Sequence, residues 1–336
     1  MKLTYEQLAA CIHGAAALTQ NPDDSVRVHR FTEAQRAIYV PEENGFFASE
    51  FAANATLDFY TDAESITITL SGRCRERRPE ISVDILENGT LQHHLGESRT
   101  TGTGKAVLPY GPLSFSCDLS KGEKRVTVYL CYGAVVDSLA VELPDGASLR
   151  PYTPSRTMVT FGDSITHGST VQFSSMSYIS QLSRRLDAAV HNYGIGGEVF
   201  RGDKIIPGTY PAADLVTVAY GTNDYGHEAV TRESFSHNMP EFFRRLHAQF
   251  PTAPTFVLLP LWCSGCEEAG TIGTLEEVRQ AIRAEAEKYE NNIVIDCQNF
   301  VPQLPEFFAD KVLHPNDLGM THYAANLYLA IKEHLK

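Results

Sequence analysis

The sequence lacks the features that mark nucleic-acid-binding and membrane proteins. Its 336 residues include 28 Lys and Arg against 41 Asp and Glu, a formal net charge of −13. Nucleic acids and anionic membranes both bind concentrated basic surfaces, so neither is expected as the main partner. No stretch approaches the roughly 18 apolar residues needed to cross a bilayer. The composition therefore favours a small, neutral molecule as partner.

Cysteine is also scarce. The chain has seven cysteines, which is an odd number, and they are scattered along the sequence. This pattern is typical of reduced thiols rather than of a disulfide framework. Cys263 and Cys266 form one Cys-x-x-Cys, but no second pair or matching histidines accompany it, so no metal site is expected. Glu6, Gln7 and His13 interrupt the alanine-rich N-terminal stretch and leave no secretion-signal core. We expect a cytoplasmic protein.

What the chain does contain indicates two domains. Residues 26–143 hold short runs that alternate apolar with polar residues or are β-branched, separated by Gly, Pro, Asn and Asp. The runs are "RAIYV" at 36–40, "ATLDFY", "SITITL", "ISVDILENG", "FSCDL", "RVTVYL" and "LAVEL". They predict an all-β, jelly-roll-like sandwich over residues 1–150.

A Pro- and Gly-containing segment near residue 150 ends this pattern. From 151 to 336 apolar β-rich runs alternate with helical segments, which predicts a parallel sheet covered on both faces. Helices are expected at 178–186, around Phe242 and from a capping box at Thr274. Asp317 is expected to cap the last helix.

Polar residues follow the first three of these strands. "FGDSITHG" (161–168) places Ser164 after a strand, and on its own this is either a capped turn or a nucleophile. "GIGG" (194–197) and "GTND" (221–224) follow the next two strands. The carboxyl ends of parallel strands share one edge of a sheet, so Gly197 and Asn223 could supply N–H donors beside Ser164.

A histidine near the C-terminus completes the pattern. "HPND" (314–317) places His314 in a loop just before the last helix. Imidazole titrates near neutrality, so His314 is a candidate to accept the serine proton, although an isolated loop histidine is more often structural.

These four blocks, in this order over residues 158–336, resemble the sequence blocks of SGNH hydrolases, the GDSL esterases and lipases. The resemblance implies a flavodoxin-like, three-layer α/β/α sandwich with a five-stranded parallel sheet. It also implies that Ser164 is the nucleophile and His314 the base, and that the Ser164 and Gly197 N–H groups and the Asn223 amide form the oxyanion hole. No cofactor is implied.

One departure from the family pattern concerns the third catalytic group. The family usually has Asp-x-x-His, but Lys311 occupies that position here and Asp310 lies one residue further away. A bulged loop could still bring Asp310 to His314. Alternatively, a backbone carbonyl orients the ring and the pair acts as a Ser-His dyad.

Two features bear on the substrate. A β-sandwich followed by an SGNH domain is similar to carbohydrate esterase family two, which implies an acetylated mono- or oligosaccharide. Trp262, the only tryptophan, and Tyr225 follow strands near the expected site and could bind a sugar or enclose an acyl group. A general short-chain acylesterase or an inactive carbohydrate-binding relative remain alternatives.

Overall fold

The computed structural model describes residues 1–75, 80–98 and 107–335. The chain forms two compact units. The first comprises Met1–Thr32, Phe46–Ser155 and Phe173–Ser175, and the second comprises Glu33–Gly45, Arg156–Gln172 and Met176–Lys336. The second unit thus begins close to the boundary expected near residue 150, but it also includes residues 33–45, which the sequence had placed in the first domain.

The first unit contains helix α1 (Tyr5–Cys11) and strands β1 to β11. The strands are β1 (Ile12–His13), β2 (Ala17–Gln20), β3 (Val26–His29), β4 (Thr56–Thr61), β5 (Ser65–Arg75), β6 (Glu80–Glu87), β7 (Thr90–Ser98), β8 (Val107–Asp118), β9 (Lys124–Leu130), β10 (Ala134–Glu142) and β11 (Arg150–Pro151).

These strands form two antiparallel sheets. One has the order β1-β4-β9-β6-β7, with β11 paired to β4, and the other has the order β2-β3-β10-β5-β8. Buried residues alternate with more exposed ones along β5, so its apolar side chains face the core. The predicted β-sandwich is confirmed, whereas the jelly-roll topology stays a prediction.

The predicted strand "RAIYV" is wrong. Helix α2 (Glu33–Ala37) covers its start, turns follow, and helix α3 (Glu43–Ser49) comes next. Tyr39 is buried, with 3% of its surface exposed. Apolar and β-branched residues occur in buried positions outside sheets as well as in strands. Here the tyrosine is buried within the second unit without joining a sheet.

The sheet of the second unit has five parallel strands, as predicted. They are β12 (Arg156–Gly162), β13 (Ala188–Asn192), β14 (Leu215–Ala219), β15 (Thr255–Leu258) and β16 (Asn292–Ile295), in the order β13-β12-β14-β15-β16. The chain reverses its direction of winding at β12, so loops after β12, β13 and β14 meet there. This is the edge where the sequence places Ser164.

Besides α2, the second unit contains α4 (Ser164–His167), α5 (Tyr178–Leu186), α6 (Thr222–Gly226), α7 (Arg232–Gln249), α8 (Leu275–Ala286) and α9 (Asp317–Lys332). Four of them, α5, α7, α8 and α9, lie where the sequence predicts helices. Thr274 caps α8 in a complete capping box, as expected. Asn316, not Asp317, caps α9, because its side-chain oxygen accepts the Gly319 N–H. Among the described residues, no helix combines the length and the apolarity that a bilayer crossing requires.

Candidate active site

Ser164 lies in a tight turn directly after β12. A Cβ on Gly162 would lie 2.2 Å from Thr166 Oγ1, so only glycine fits where the strand meets the turn. The Asp163 carboxylate accepts the Ile165 N–H at 2.9 Å and therefore caps α4. Because Asp163 supplies the cap, the Ser164 hydroxyl is not needed for it, and the half-buried serine can interact elsewhere.

The Ser164 hydroxyl belongs to a hydrogen-bonded chain of three side chains. Its Oγ lies 2.8 Å from His314 Nε2, and His314 Nδ1 lies 2.6 Å from Asp310 Oδ2. A carboxylate at Nδ1 holds the imidazole in the tautomer that leaves Nε2 free to accept the serine proton. The geometry matches the first alternative from the sequence, in which Asp310 itself orients the ring.

The extra residue between Asp310 and His314 is absorbed in a left-handed conformation. Lys311 has φ of 65°, and the chain then folds back over the carboxylate. Asp310 Oδ1 accepts the N–H groups of Val312, Leu313 and His314 at 3.0, 2.8 and 3.1 Å. Burial acts to raise the pKa of Asp310, but the bonds from the His314 ring and these N–H groups outweigh it and lower the pKa to about 2.

The segment after β13, which we call the oxyanion loop (residues 195–198), packs against Ser164. Ile195 N–H donates to the Gly162 carbonyl at 3.0 Å, and the Glu198 N–H closes a turn onto the Ile195 carbonyl at 3.2 Å. Gly197 occupies this turn with φ of 84°, which favours glycine. A Cβ on Gly196 would lie 3.7 Å from Ser164 Cβ. Within the described part of the chain, the Gly197 N–H donates to no backbone carbonyl.

Asn223 joins this loop from the end of β14. Its side-chain Nδ2 donates to the Glu198 carbonyl at 2.9 Å. A primary amide has two N–H groups, so one fixes Asn223 to the oxyanion loop and the second is available to another acceptor. The structure therefore places Ser164, Gly197 and Asn223 at one edge of the sheet.

Two buried carboxyl groups support the same edge. Burial raises the pKa of Asp163 to about 6 and that of Asp224 to about 7, against the lowering effect of backbone N–H groups. Asp224 follows Asn223 and accepts the Phe200 N–H at 3.2 Å, so it connects the end of β14 to the segment after the oxyanion loop.

Trp262 lies near the segment 310–314, which we call the histidine loop, but lines a separate pocket. Ser264 N–H donates to the Val312 carbonyl at 2.9 Å, which joins the loop after β15 to the segment carrying His314. The half-buried indole borders a pocket of about 280 Å³ whose lining also includes Arg279, Gln298 and Gln303. Ser164 does not line this pocket, so contact between Trp262 and a substrate stays a prediction.

Tyr225 is engaged in local contacts. Its hydroxyl donates to the Glu268 carbonyl at 2.8 Å, and its ring lies beside Gly270. The predicted role of Tyr225 as a substrate wall also stays a prediction.

A second pocket, of about 320 Å³, opens beside the oxyanion loop. Besides that loop, it is lined by Glu42, Glu43, Asn44, Gly45 and His227. No motif in the sequence points to this wall, because residues 42–45 are far from the motifs along the chain.

All seven cysteines, including Cys263 and Cys266, are free thiols. Among the residues that the structure describes, no group of three or more His, Cys, Asp or Glu side chains is arranged to hold a metal ion.

A serine at the carboxyl end of a parallel strand, bonded to a histidine and an aspartate, is the arrangement of an α/β serine hydrolase. A profile described as the GDSL-like lipase/acylhydrolase family matches residues 160–322, which include every block identified above. The second unit therefore contains a domain that matches this family, which confirms the resemblance seen in the sequence.

Solved structures extend the likeness to nearly the whole chain. Salicylyl-acyltransferase SsfX3 from a tetracycline biosynthetic pathway has a TM-score of 0.76 at 16% identity, covering 96% of this chain and 94% of its own. The acetyl xylan esterase Est2A from the rumen bacterium Butyrivibrio proteoclasticus has a TM-score of 0.64 at 13% identity, covering 100% and 98%.

A family two carbohydrate esterase from Cellvibrio japonicus has a TM-score of 0.62 at 16% identity, covering 99% and 97%. No match is found among curated proteins. At these identities the solved structures support the two-unit fold.

Proposed function

We propose that the protein is a serine carboxylic ester hydrolase that acts through an acyl-enzyme. Ser164 Oγ attacks the ester carbonyl while His314 Nε2 accepts its proton, and Asp310 stabilises the resulting imidazolium. The Ser164 and Gly197 N–H groups and the second N–H of the Asn223 amide donate to the oxyanion. His314 then protonates the departing alcohol, and the acyl group remains on Ser164.

Water completes the cycle. His314 Nε2 takes a proton from a water molecule, whose oxygen attacks the acyl carbonyl, and the released Ser164 oxygen regains the proton from the ring. The carboxylic acid leaves and the free enzyme returns. The observation that carries the proposal is the Ser164–His314–Asp310 chain, with distances of 2.8 and 2.6 Å.

The hydrolase activity is testable with p-nitrophenyl acetate. We expect Ser164→Ala to lower kcat by about four to six orders of magnitude, because the acyl acceptor is removed. Ser183→Ala, which removes an α5 hydroxyl that donates to the Ala188 carbonyl, is the matched control and should retain activity. Equal rates for wild type and Ser164→Ala would refute the proposal.

For the substrate, we propose an O-acetylated mono- or oligosaccharide. This rests on the likeness to carbohydrate esterases over nearly the whole chain and on the pocket formed by Trp262, Gln298 and Gln303. An indole packs well on the apolar face of a pyranose, while amide groups can bond its hydroxyls.

Screening acetylated sugars for released acetate tests this assignment. We expect acetate release from a sugar ester with a kcat/KM at least tenfold above that for p-nitrophenyl acetate, and Trp262→Ala to raise KM for the sugar ester alone. Preference for simple esters would favour a general short-chain acylesterase, and sugar binding without hydrolysis would favour an inactive relative. Transfer of the acyl group to an added alcohol would instead favour an acyltransferase, as the name of SsfX3 describes that protein.

We also propose a cytoplasmic location, on the ground that all seven cysteines are free. Fractionation of the producing cells with an antibody against the protein tests it. Recovery mainly outside the cytoplasmic fraction would refute the assignment.

A further inference from the structure

The oxyanion loop is held by a buried charged cluster that the mechanism does not use. We call Tyr39, Glu198 and Lys204 the Tyr39 cluster. Their exposed fractions are 3%, 6% and 5%. A buried lysine and a buried glutamate are rare unless they are paired, because removing each charge from water is costly.

The three side chains contact one another directly. Lys204 Nζ lies 3.2 Å from Glu198 Oε2 and 3.6 Å from the centre of the Tyr39 ring. The Tyr39 hydroxyl also hydrogen-bonds the Glu198 carboxylate. The lysine ammonium is therefore held between a carboxylate and the face of an aromatic ring, which attracts a cation.

Tyr39 comes from the segment 33–45, which has further attachments in the second unit. Glu42 forms an ion pair with Arg201 and lies 3.7 Å from Lys204. Gln35 Nε2 donates to Thr209 Oγ1 at 2.9 Å. The segment is thus fixed on the residues that follow the oxyanion loop.

The backbone of Glu198 connects this cluster to two of the three proposed oxyanion donors, the Gly197 N–H and the Asn223 amide. Its N–H closes the turn that presents Gly197, and its carbonyl holds the Asn223 amide. Fixing the Glu198 side chain therefore fixes the positions of two donors at once.

We propose that Glu198, locked by Lys204 and Tyr39, is a positioning residue for the oxyanion hole. The inference rests on the proposed hydrolase function. A buried ion pair adds little to stability when compared with apolar residues of the same size, so stability alone gives no reason for it. Placement of the oxyanion donors does give a reason for the buried ion pair, since misplacing a reacting group by about 1 Å can cost roughly 100-fold in rate.

The test compares kcat with KM for p-nitrophenyl acetate. Tyr39→Phe removes one hydroxyl and keeps the ring, and we expect it to lower kcat three- to tenfold with KM changed less than twofold. Lys204→Met leaves Glu198 without its cation, and we expect a kcat loss of 10- to 100-fold. Lys204→Arg, which restores the charge, should recover part of that loss.

A matched control separates positioning from plain stability. Lys124 is also buried, at 2% exposure, but lies in the first unit, where it donates to the Ala63 and Gly122 carbonyls. Lys124→Met should lower the thermal midpoint with kcat unchanged. If Lys124→Met and Lys204→Met lost kcat in proportion to their loss of stability, the positioning role would be refuted.

A second readout reports on the oxyanion hole itself. A dialkyl p-nitrophenyl phosphate phosphorylates an active-site serine, with p-nitrophenolate leaving, and its phosphoryl oxygen takes the oxyanion position. We expect Tyr39→Phe to slow this inactivation by the same factor as kcat. If kcat and the inactivation rate of Tyr39→Phe both matched those of the wild type, the inference would fail, even where Lys204→Met did not fold. An inactive wild type would refute the hydrolase function instead.

Discussion

Two loops deliver the proposed catalytic groups, and they are held in opposite ways. The histidine loop is a short stretch of chain bonded to itself, with Asp310 39% and His314 26% exposed at the side chain. The oxyanion loop depends on Lys204 and Glu198, whose side chains are 3% and 5% exposed, and on Tyr39 from 159 residues before Glu198.

The difference shows how one site can combine two kinds of support. One aspartate accepting three consecutive N–H groups holds the histidine loop through bonds that all lie within residues 310–314. In the proposed mechanism the oxyanion loop holds backbone N–H groups at fixed positions, and buried contacts from other parts of the chain restrict its movement. Changing the two loops separately therefore distinguishes local support from support by distant residues.

Among changes to the two loops, the largest effect is expected at Asp310. In Asp310→Asn the amide oxygen can keep the backbone bonds, but the NH₂ then faces His314 Nδ1 and favours the wrong tautomer. We expect kcat to fall about 10³- to 10⁴-fold, measured with p-nitrophenyl acetate. Asp317→Asn, from the same motif, is the control and should stay within a few-fold of wild type. A loss at Asp310 far smaller than for His314→Ala would favour the dyad.

The second effect concerns Asn223, which joins the oxyanion loop to β14. Asn223→Ala removes a proposed oxyanion donor and the bond to the Glu198 carbonyl, so we expect kcat to fall about 10²- to 10³-fold. KM should change little, because the donor acts mainly on the transition state. Asn238→Ala on α7 is the control. An unchanged kcat for Asn223→Ala would exclude the amide from the oxyanion hole.

A stability effect is expected from the buried carboxyl groups near the oxyanion loop. Burial raises the pKa of Asp224 to about 7 and that of Asp163 to about 6, so the folded state binds more protons than the unfolded state from about pH 4 to 7. The free energy of unfolding should therefore fall as pH rises through this window, by on the order of a few kcal/mol. Urea unfolding at several pH values measures it.

Asp224→Asn should flatten this dependence while keeping an acceptor for the Phe200 N–H. Asp310 does not contribute there, because its pKa of about 2 and its usual value both lie below the window. A wild type whose stability rises with pH from 4 to 7 would contradict the prediction.

The smallest effect is expected at Lys311, the extra residue of the histidine loop. Its φ of 65° suits glycine, so Lys311→Gly should change stability by less than about 1 kcal/mol and leave kcat within threefold. Lys311→Val places a β-branched residue in the left-handed region, which should cost about 1–2 kcal/mol. Urea unfolding compares the two variants, and equal stability would show that the loop does not require this conformation.

The sequence by itself determined the parallel sheet, its five strands and the blocks that carry Ser164, Gly197, Asn223 and His314. Those features depend on local patterns: apolar runs of strand length, glycine at turns, and polar residues at strand ends. The capping box at Thr274 is predictable for the same reason, since all its bonds lie within four residues.

Only the tertiary structure decided the remaining features, because they depend on contacts between residues far apart in the chain. "RAIYV" is composed like a strand, but the burial of Tyr39 beside Lys204 keeps it out of the sheets. The sequence left two alternatives for the partner of His314, and the left-handed turn at Lys311 selects Asp310. Glu198 carries no local signal of its surroundings, since its partners come from segments that only folding brings to the oxyanion loop.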